Sequence, residues 1–269
     1  MAKQTPENAI APSASSTCAT FSELVEKNYL FRGLDVNWLE NHLSLQDLKI
    51  EKLFSNRPLY TAFLPEKSLD VLYVVLDEGF VITRSTPLDR IIAITYAGSC
   101  FGMRSLPFGY GLASKAFPCL VETYKTTHVI KIDWHIIQKI YEDSEIFREH
   151  YRMLFELRAK FEYHLLNCST YPPQAVATLF RALIYQERAL GNQPNSLGNY
   201  CFDLPIDVIA RACQLNQRTV EQVLKGMQQV GLIEMSKGES GDWITAIAPE
   251  ELKEVYSATR DKVSWWPLR

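Results

Sequence analysis

The sequence predicts an α+β chain in three parts: a β-barrel of short strands, one long helix, and a helix-turn-helix closed by a β-hairpin. Three observations predict it. Seven short β-rich runs separated by turns fill residues 49–132. A helical stretch with an apolar repeat of alternating four and three follows from Ser144 to Cys168. Two amphipathic helices and then two strands occupy Leu204 to Ile247.

Length and composition bound the reading. With 269 residues, 47% of them hydrophobic, the chain can build one large or two ordinary domains. No apolar run approaches the roughly 18 residues of a membrane span, and the N-terminus lacks the basic and apolar blocks of a signal peptide, so no membrane partner and a cytoplasmic location are expected. Cys18, Cys100, Cys119, Cys168, Cys201 and Cys213 are scattered without CxxC or Cys/His pairing. This argues for buried reduced thiols and against a zinc or iron-sulfur framework. A net charge of −3 argues against a non-specific nucleic-acid binder and leaves room for a specific one.

Taken in order, residues 1–20 are Ala-, Ser-, Thr- and Pro-rich and predict a disordered tail. Phe21 to His42 predicts short helical pieces, with Asp35 as a cap. The strand runs are Lys49–Phe54, Leu59–Phe63, Val71–Leu76, Phe80–Arg84, Arg90–Tyr96, Leu120–Thr123 and His128–Ile132, with a tight reversal at Asp77-Glu78-Gly79. Asp133 caps a helix to about Tyr141. In the long helix, Phe147, Tyr151, Leu154, Arg158, Phe161, Leu165 and Cys168 form a heptad stripe that suits a parallel partner helix, or else packing on the chain's own β-domain. Arg158 on that stripe needs a polar partner or a bound anion. Tyr171-Pro172-Pro173 breaks the helix and marks a hinge. A further helix, Gln174 to Arg188, precedes a Gly-, Pro- and Asn-rich loop and a small strand at Asn199 to Phe202. The resulting division is 1–20, 21–143, 144–170, 171–247 and a tail, 248–269.

Within Leu204 to Ile247, the helix Pro205 to Cys213 places Ile206, Ile209, Ala210 and Cys213 on one face. After a turn at Gln214 and Leu215, Asn216 caps a second helix running to about Val230. There Val220, Val223, Leu224 and Met227 share a face, leaving Gln217, Arg218, Glu221, Gln222 and Lys225 opposite. This second face is either an ordinary solvated surface or a reading head, since a guanidinium, amides and a carboxylate pair with guanine, adenine and cytosine edges in the major groove. Gly231 ends the helix, and a hairpin follows whose tip, Ser236 and Lys237, is either a phosphate contact or a plain solvated turn.

This order of parts resembles the superfamily of the cAMP receptor protein and FNR from about Phe21 to Ile247. The matching residues are Leu72-Tyr73-Val74-Val75 before Gly79, Gly98-Ser99-Cys100-Phe101-Gly102 at the family's Gly-Asp-x-x-Gly signature, and Asn216 to Leu224 in the helix-turn-helix. Gln214 departs from the usual turn glycine. The resemblance implies a cyclic-nucleotide-binding-like β-barrel (a double-stranded β-roll), a dimerisation helix and a C-terminal winged helix-turn-helix. It further implies a homodimeric transcription regulator that docks two helices into successive major grooves roughly 34 Å apart on a palindromic operator, with RNA polymerase as a further partner. Gln217, Arg218 and Gln222 fall at base-reading positions and Thr219 at a phosphate-contacting one.

The effector region departs from the family. Met103 stands at the position of the cAMP-binding glutamate, and Phe117-Pro118 at that of the phosphate-gripping Arg-Ser pair. A buried phosphate without an arginine lacks counter-charge, so cAMP binding is not expected; no cofactor is assigned, and any other effector is left open. Any effector pocket should lie near Phe101, Gly102, Met103, Arg104, Cys119 and Arg158. The N-terminal cysteine cluster of FNR is missing, and His128, His135, His150 and His164 are read as structural rather than haem ligands. Cys100 and Cys119 are placed facing the barrel interior, as inert packing or a thiol switch. No nucleophile–base pair or phosphate loop points to an enzyme. The alternatives are an interaction module acting by protein contact, a sensor of another small-molecule or redox signal and, further behind, a barrel-fold enzyme. In the tail, Leu252, Val255 and Tyr256 suggest a short helix, and Trp265-Trp266 either self-packing or partner contact.

Overall fold

The computed structural model describes residues 20–62, 71–77, 79–85, 89–102, 119–166, 171–238, 241–257, 263, 265 and 266. Met103, Arg104, Phe117, Pro118, Cys168 and the expected disordered tail up to residue 19 lie outside the described residues, as does the side chain of Cys119.

The chain opens with α1 (Phe21–Lys27), a 3-10 turn (Tyr29–Phe31) and α2 (Val36–Glu40). Thr20 and Glu23 form a reciprocal capping box on α1, and the Asp35 side chain caps α2 by accepting from the Trp38 N–H at 2.8 Å. Eight strands follow: β1 (Ile50–Leu53), β2 (Arg57–Ala62), β3 (Val71–Val75), β4 (Phe80–Ser85), β5 (Arg90–Tyr96), β6 (Cys100–Gly102), β7 (Cys119–Thr123) and β8 (Thr127–Asp133). They build two antiparallel four-stranded sheets, ordered β1-β8-β3-β6 and β2-β7-β4-β5. This is the expected β-roll. The short strand β6 is the one the strand runs missed. Three residues are too few for a period-two signal, and its last position, Gly102 (φ +96°), requires glycine because a Cβ there would lie 2.5 Å from the Val71 carbonyl oxygen.

Alternation along the strands divides side chains between three layers. Leu53, Val75, Val81, Phe101, Val121 and Val129 fill the space between the sheets, where Phe101 stacks on Tyr73 at 4.7 Å. The outer face of the first sheet, including Leu72, Val74, Ile130 and Ile132, packs under α1, the 3-10 turn, α3 (Trp134–Asp143) and the start of α4 (Glu145–Leu166). Cys100 belongs to this outer layer. The expectation that it faces the barrel interior is therefore corrected: in β6 the inward position falls to its neighbour Phe101.

The outer face of the second sheet is also buried. Phe80, Ile82, Ile91 and Ile94 form one continuous core with Phe161 and Leu165 of α4, with α5 (Pro172–Ala189), and with the winged unit that follows. That unit comprises β9 (Tyr200–Asp203), α6 (Ile206–Cys213), α7 (Gln217–Gln229), β10 (Ile233–Gly238), β11 (Gly241–Ala246) and α8 (Leu252–Ser257). Strand β9 pairs with β11, so the wing is a three-stranded sheet. Helix α5 begins at Pro172, two residues earlier than expected, because proline is tolerated in a first turn that needs no amide donors.

The long helix spends its apolar stripe inside its own chain. Phe147 and Tyr151 join the core over the first sheet and Phe161 and Leu165 the core over the second, none more than 3% exposed. Leu154 and Arg158 between them are half-buried. For Phe147, Tyr151, Phe161 and Leu165 the structure therefore takes the second of the two expected readings, packing on the chain's own β-domain. A coiled-coil seam and a helix lying along its own β-domain demand the same apolar spacing, and the β-roll supplies the closer surface. Phe161→Ala should lower stability by about 3–5 kcal/mol through lost packing. Denaturant unfolding at several protein concentrations checks it, with the loss expected to be independent of concentration.

Candidate nucleic-acid interface

Helix α6 turns Val208, Ile209, Ala210, Ala212 and Cys213 into the core, with Ile206 half-buried against it. The reversal into α7 is made by Gln214 in the left-handed conformation, φ 55° and ψ 42°. Its backbone N–H donates to the Ala210 carbonyl, and its side-chain Nε2 donates to the Arg211 carbonyl at 3.1 Å. A glutamine thus makes the turn that the family gives to glycine, at a backbone cost of roughly 1–2 kcal/mol. Next, Asn216 sits in extended conformation and its side-chain oxygen accepts from the Thr219 N–H at 2.8 Å, the expected cap.

From that fixed start, α7 buries Val220, Val223, Leu224 and Met227 to within 1% exposure. Helical periodicity then puts Gln217, Arg218, Glu221, Gln222 and Lys225 on the solvent face, all exposed, with Thr219 half-buried at its edge. The exposed helix end carries unpaired amide hydrogens and the positive end of the helix dipole. On the wing, Ser236 and Lys237 are exposed and lie opposite Trp243 and Asp242 in the β10–β11 ladder. The back of α7 is held by the tail: Trp265 lies against Gly226 so closely that a Cβ there would meet its ring at 2.4 Å. Trp265 and Trp266 thus pack on the chain's own core.

A set of polar contacts missed at the sequence level fixes the unit to the β-roll. The Glu122 carboxylate on β7 accepts from Arg84 Nη2 at 2.8 Å and from Arg211 Nη2 of α6 at 3.3 Å, while Arg84 also pairs with Asp89. Tyr124 donates its hydroxyl to Asp207, Lys125 pairs with Asp203, and the buried Arg90 Nε donates to the Ala212 carbonyl at 3.2 Å. Burial, reinforced by the Asp207 carboxylate, pushes the Tyr124 phenol up, so it stays a hydrogen-bond donor at neutral pH. The available signal was the strand alternation, which places Arg84 on the same outward face as Phe80 and Ile82. Nothing local shows that this face meets a helix 120 residues away.

Of the residues expected around an effector pocket, Phe101, Gly102 and Arg158 are described, and Met103, Arg104 and the side chain of Cys119 are not. Phe101 is core between the sheets, and Gly102 is the close approach to Val71. Arg158 is in a different layer, lining a narrow cleft with Thr95, Ser99, Cys100 and Gln186. Burial pushes the Cys100 thiol up to about 12 in spite of the Asn28 amide beside it, so it is not a thiolate nucleophile at neutral pH. Of the histidines, His128 bonds to Asp77 at 2.8 Å, His150 lies 4.8 Å from the Tyr29 ring, and His135 contacts Trp134. Among the described residues there is no cluster of His, Cys, Asp or Glu suited to a metal ion.

No family model matches the sequence, and no curated protein matches it. Solved structures do match the fold. FixK2 from Bradyrhizobium japonicum is 16% identical, with a TM-score of 0.56, covering 78% of this chain and 98% of its own. A CooA mutant from Carboxydothermus hydrogenoformans is 14% identical, with a TM-score of 0.55, covering 84% of this chain and 97% of its own. The chain therefore has the fold that the family resemblance implies, a β-roll followed by a long helix and a winged helix-turn-helix.

Asn216→Ala should cost about 1 kcal/mol of stability and fray the first turn of α7, read by thermal unfolding and by amide exchange at Thr219. Glu122→Gln should lower the unfolding midpoint and speed exchange of α6 amides, because it leaves Arg84 and Arg211 with only the more exposed Asp89 carboxylate between them.

Proposed function

We propose that this protein is a sequence-specific DNA-binding transcription regulator. The observation that carries the reading is the solvent face of α7, where Gln217, Arg218 and Gln222 project from a rigidly capped helix whose opposite face is anchored in the core. A guanidinium and two amides are the groups that read guanine and adenine edges, and an exposed helix N-terminus suits the major groove. Thr219, Ser236 and Lys237 serve the phosphate backbone, and Lys225 and Glu221 flank the reading groups. FixK2 and CooA, which share the fold, are Crp/Fnr transcription regulators. RNA polymerase is the further partner this reading carries.

The regulator acts as a homodimer on a palindromic site. Because the Phe147–Leu165 stripe is occupied, the second copy meets the outward face of α4, where Ile146, Met153 and Tyr163 are 46%, 42% and 63% exposed. Residues 146 and 153 share one heptad position and 163 takes the companion position of the seam, so all three lie along one stripe. Cyclic AMP is not the effector in this proposal: Met103 stands at the position of the cAMP-binding glutamate, Phe117 and Pro118 stand where the phosphate would be gripped, and the side chains between the described strands are apolar at Val75, Val81, Phe101, Val121 and Val129.

The test is capture of bound genomic DNA by the purified chain, followed by quantitative binding to the best site. Arg218→Ala should weaken that binding by roughly 1–3 kcal/mol and relax selectivity at one base pair in each half-site. Unchanged DNA affinity would favour the reading as a protein-contact module. Met153→Glu should convert the dimer to monomer in sedimentation equilibrium; an unaltered dimer would move the interface off this face.

A further inference from the structure

Where the β-roll meets the wing there is a cleft of about 430 Å³ that the DNA-reading proposal does not use. Its floor is aromatic. Phe80 of β4 and Phe202 of β9 are 0% and 3% exposed, and the Tyr96 ring stands 5.5 Å from the first and 6.3 Å from the second, centre to centre. The Tyr96 hydroxyl donates to the Asp203 carbonyl at 3.0 Å, which holds that ring across the joint. Trp243 of β11, half-buried, adds a further ring to the lining. Two charged residues of the lining, Lys125 and Asp203, pair with each other. Among the described lining residues the remaining charged side chain is Glu187, near the end of α5.

Glu187 is the group whose needs the chain leaves unmet. Its Oε2 accepts from the Asn192 side-chain amide at 2.7 Å, and among the described residues no lysine, arginine or histidine pairs with it. The adjacent Arg188 is turned to Glu250 instead, at 2.7 Å. Burial pushes the Glu187 carboxyl up from its ordinary value, and the Asn192 amide opposes that rise. A half-buried carboxyl with one neutral donor gains from a nearby cation, which replaces the hydration lost on burial and itself favours the ionised form. That gain requires no surplus of charge in the free protein. Aromatic faces attract a cation through their quadrupole and accept an apolar body as readily. The volume lies within the range of small-ligand pockets. We infer that this cleft is a binding site for a small primary ammonium carrying an apolar body, its charge at Glu187 and its body against Tyr96 and Trp243. Such a ligand touches the β-roll through Tyr96 and the wing through Trp243, and so bridges the two.

The probe is phenethylamine hydrochloride, titrated calorimetrically into the full chain at neutral pH, with phenethyl alcohol as its uncharged counterpart and ionic strength matched with sodium chloride. Saturable binding of the amine is expected, roughly tenfold tighter than that of the alcohol, the worth of one charged hydrogen bond. Glu187→Gln keeps an oxygen to accept from Asn192 and removes the charge. It should bring the amine down to the affinity of the alcohol, a split that a merely structural role would not produce. Trp243→Leu should weaken the amine and the alcohol alike. No saturable amine binding, an alcohol as tight as the amine, or the same preference for the amine in folded Glu187→Gln would overturn the site. The comparison of amine with alcohol needs no variant, so it decides the matter even where Glu187→Gln does not fold. No DNA enters the measurement, so its outcome is separable from that of operator binding.

Discussion

The second sheet of the β-roll is buried on both faces, and the rest of the arrangement depends on that constraint. Its inner face fills the roll with Val81 and Val121; its outer face, Phe80, Ile82, Ile91 and Ile94, is part of the same core as α4, α5, α6 and α7. An apolar face of this size left in water would cost on the order of 25 cal/mol for every square ångström exposed. The winged unit is therefore not an appendage on a flexible joint. It is the lid over one sheet, and the direction in which α7 presents its exposed polar face follows from how α6 lies on β5.

Polar contacts at the edge of this shared core set its registry. The Glu122 carboxylate serves arginines from two parts of the chain, Arg84 and Arg211, while Lys125–Asp203 and Tyr124–Asp207 join strand ends to the winged unit. Apolar packing is tolerant of small rotations, whereas a shared carboxylate is not, so these pairs select one orientation out of those the apolar face allows. The long helix lies in the same joint. Its inner stripe is committed to the two cores, which leaves Ile146, Met153 and Tyr163 exposed on its outer side and Lys160 and His164 at the edge of the cleft with α5.

Much of α7 was legible because its determinants are local. Asn216 caps by a contact three residues away, and the buried set Val220, Val223, Leu224 and Met227 is fixed by helical period alone. Exposure of Gln217, Arg218 and Gln222 then follows as the complement. The stripe of α4 was legible as a stripe but not in its partner, since spacing encodes the width of an apolar face and not what covers it. Residue Cys100 was misplaced for a related reason: in a three-residue strand the choice of inward side chain is made by the neighbouring strands, and Phe101 takes it.

By itself, the sequence determined the order of elements, the strand alternation, the helix caps and the chemistry displayed on α7, because each of these is decided within a few residues by backbone geometry and period. Tertiary structure alone decided that the outer face of the second sheet closes against the winged unit and that the heptad stripe turns inward. It also decided that Glu122 meets Arg211 and that Glu187 lines one cleft with Tyr96 and Trp243. These are contacts between surfaces that are distant in sequence and equally apolar or equally charged in many alternative pairings, and only the packed chain chooses among them.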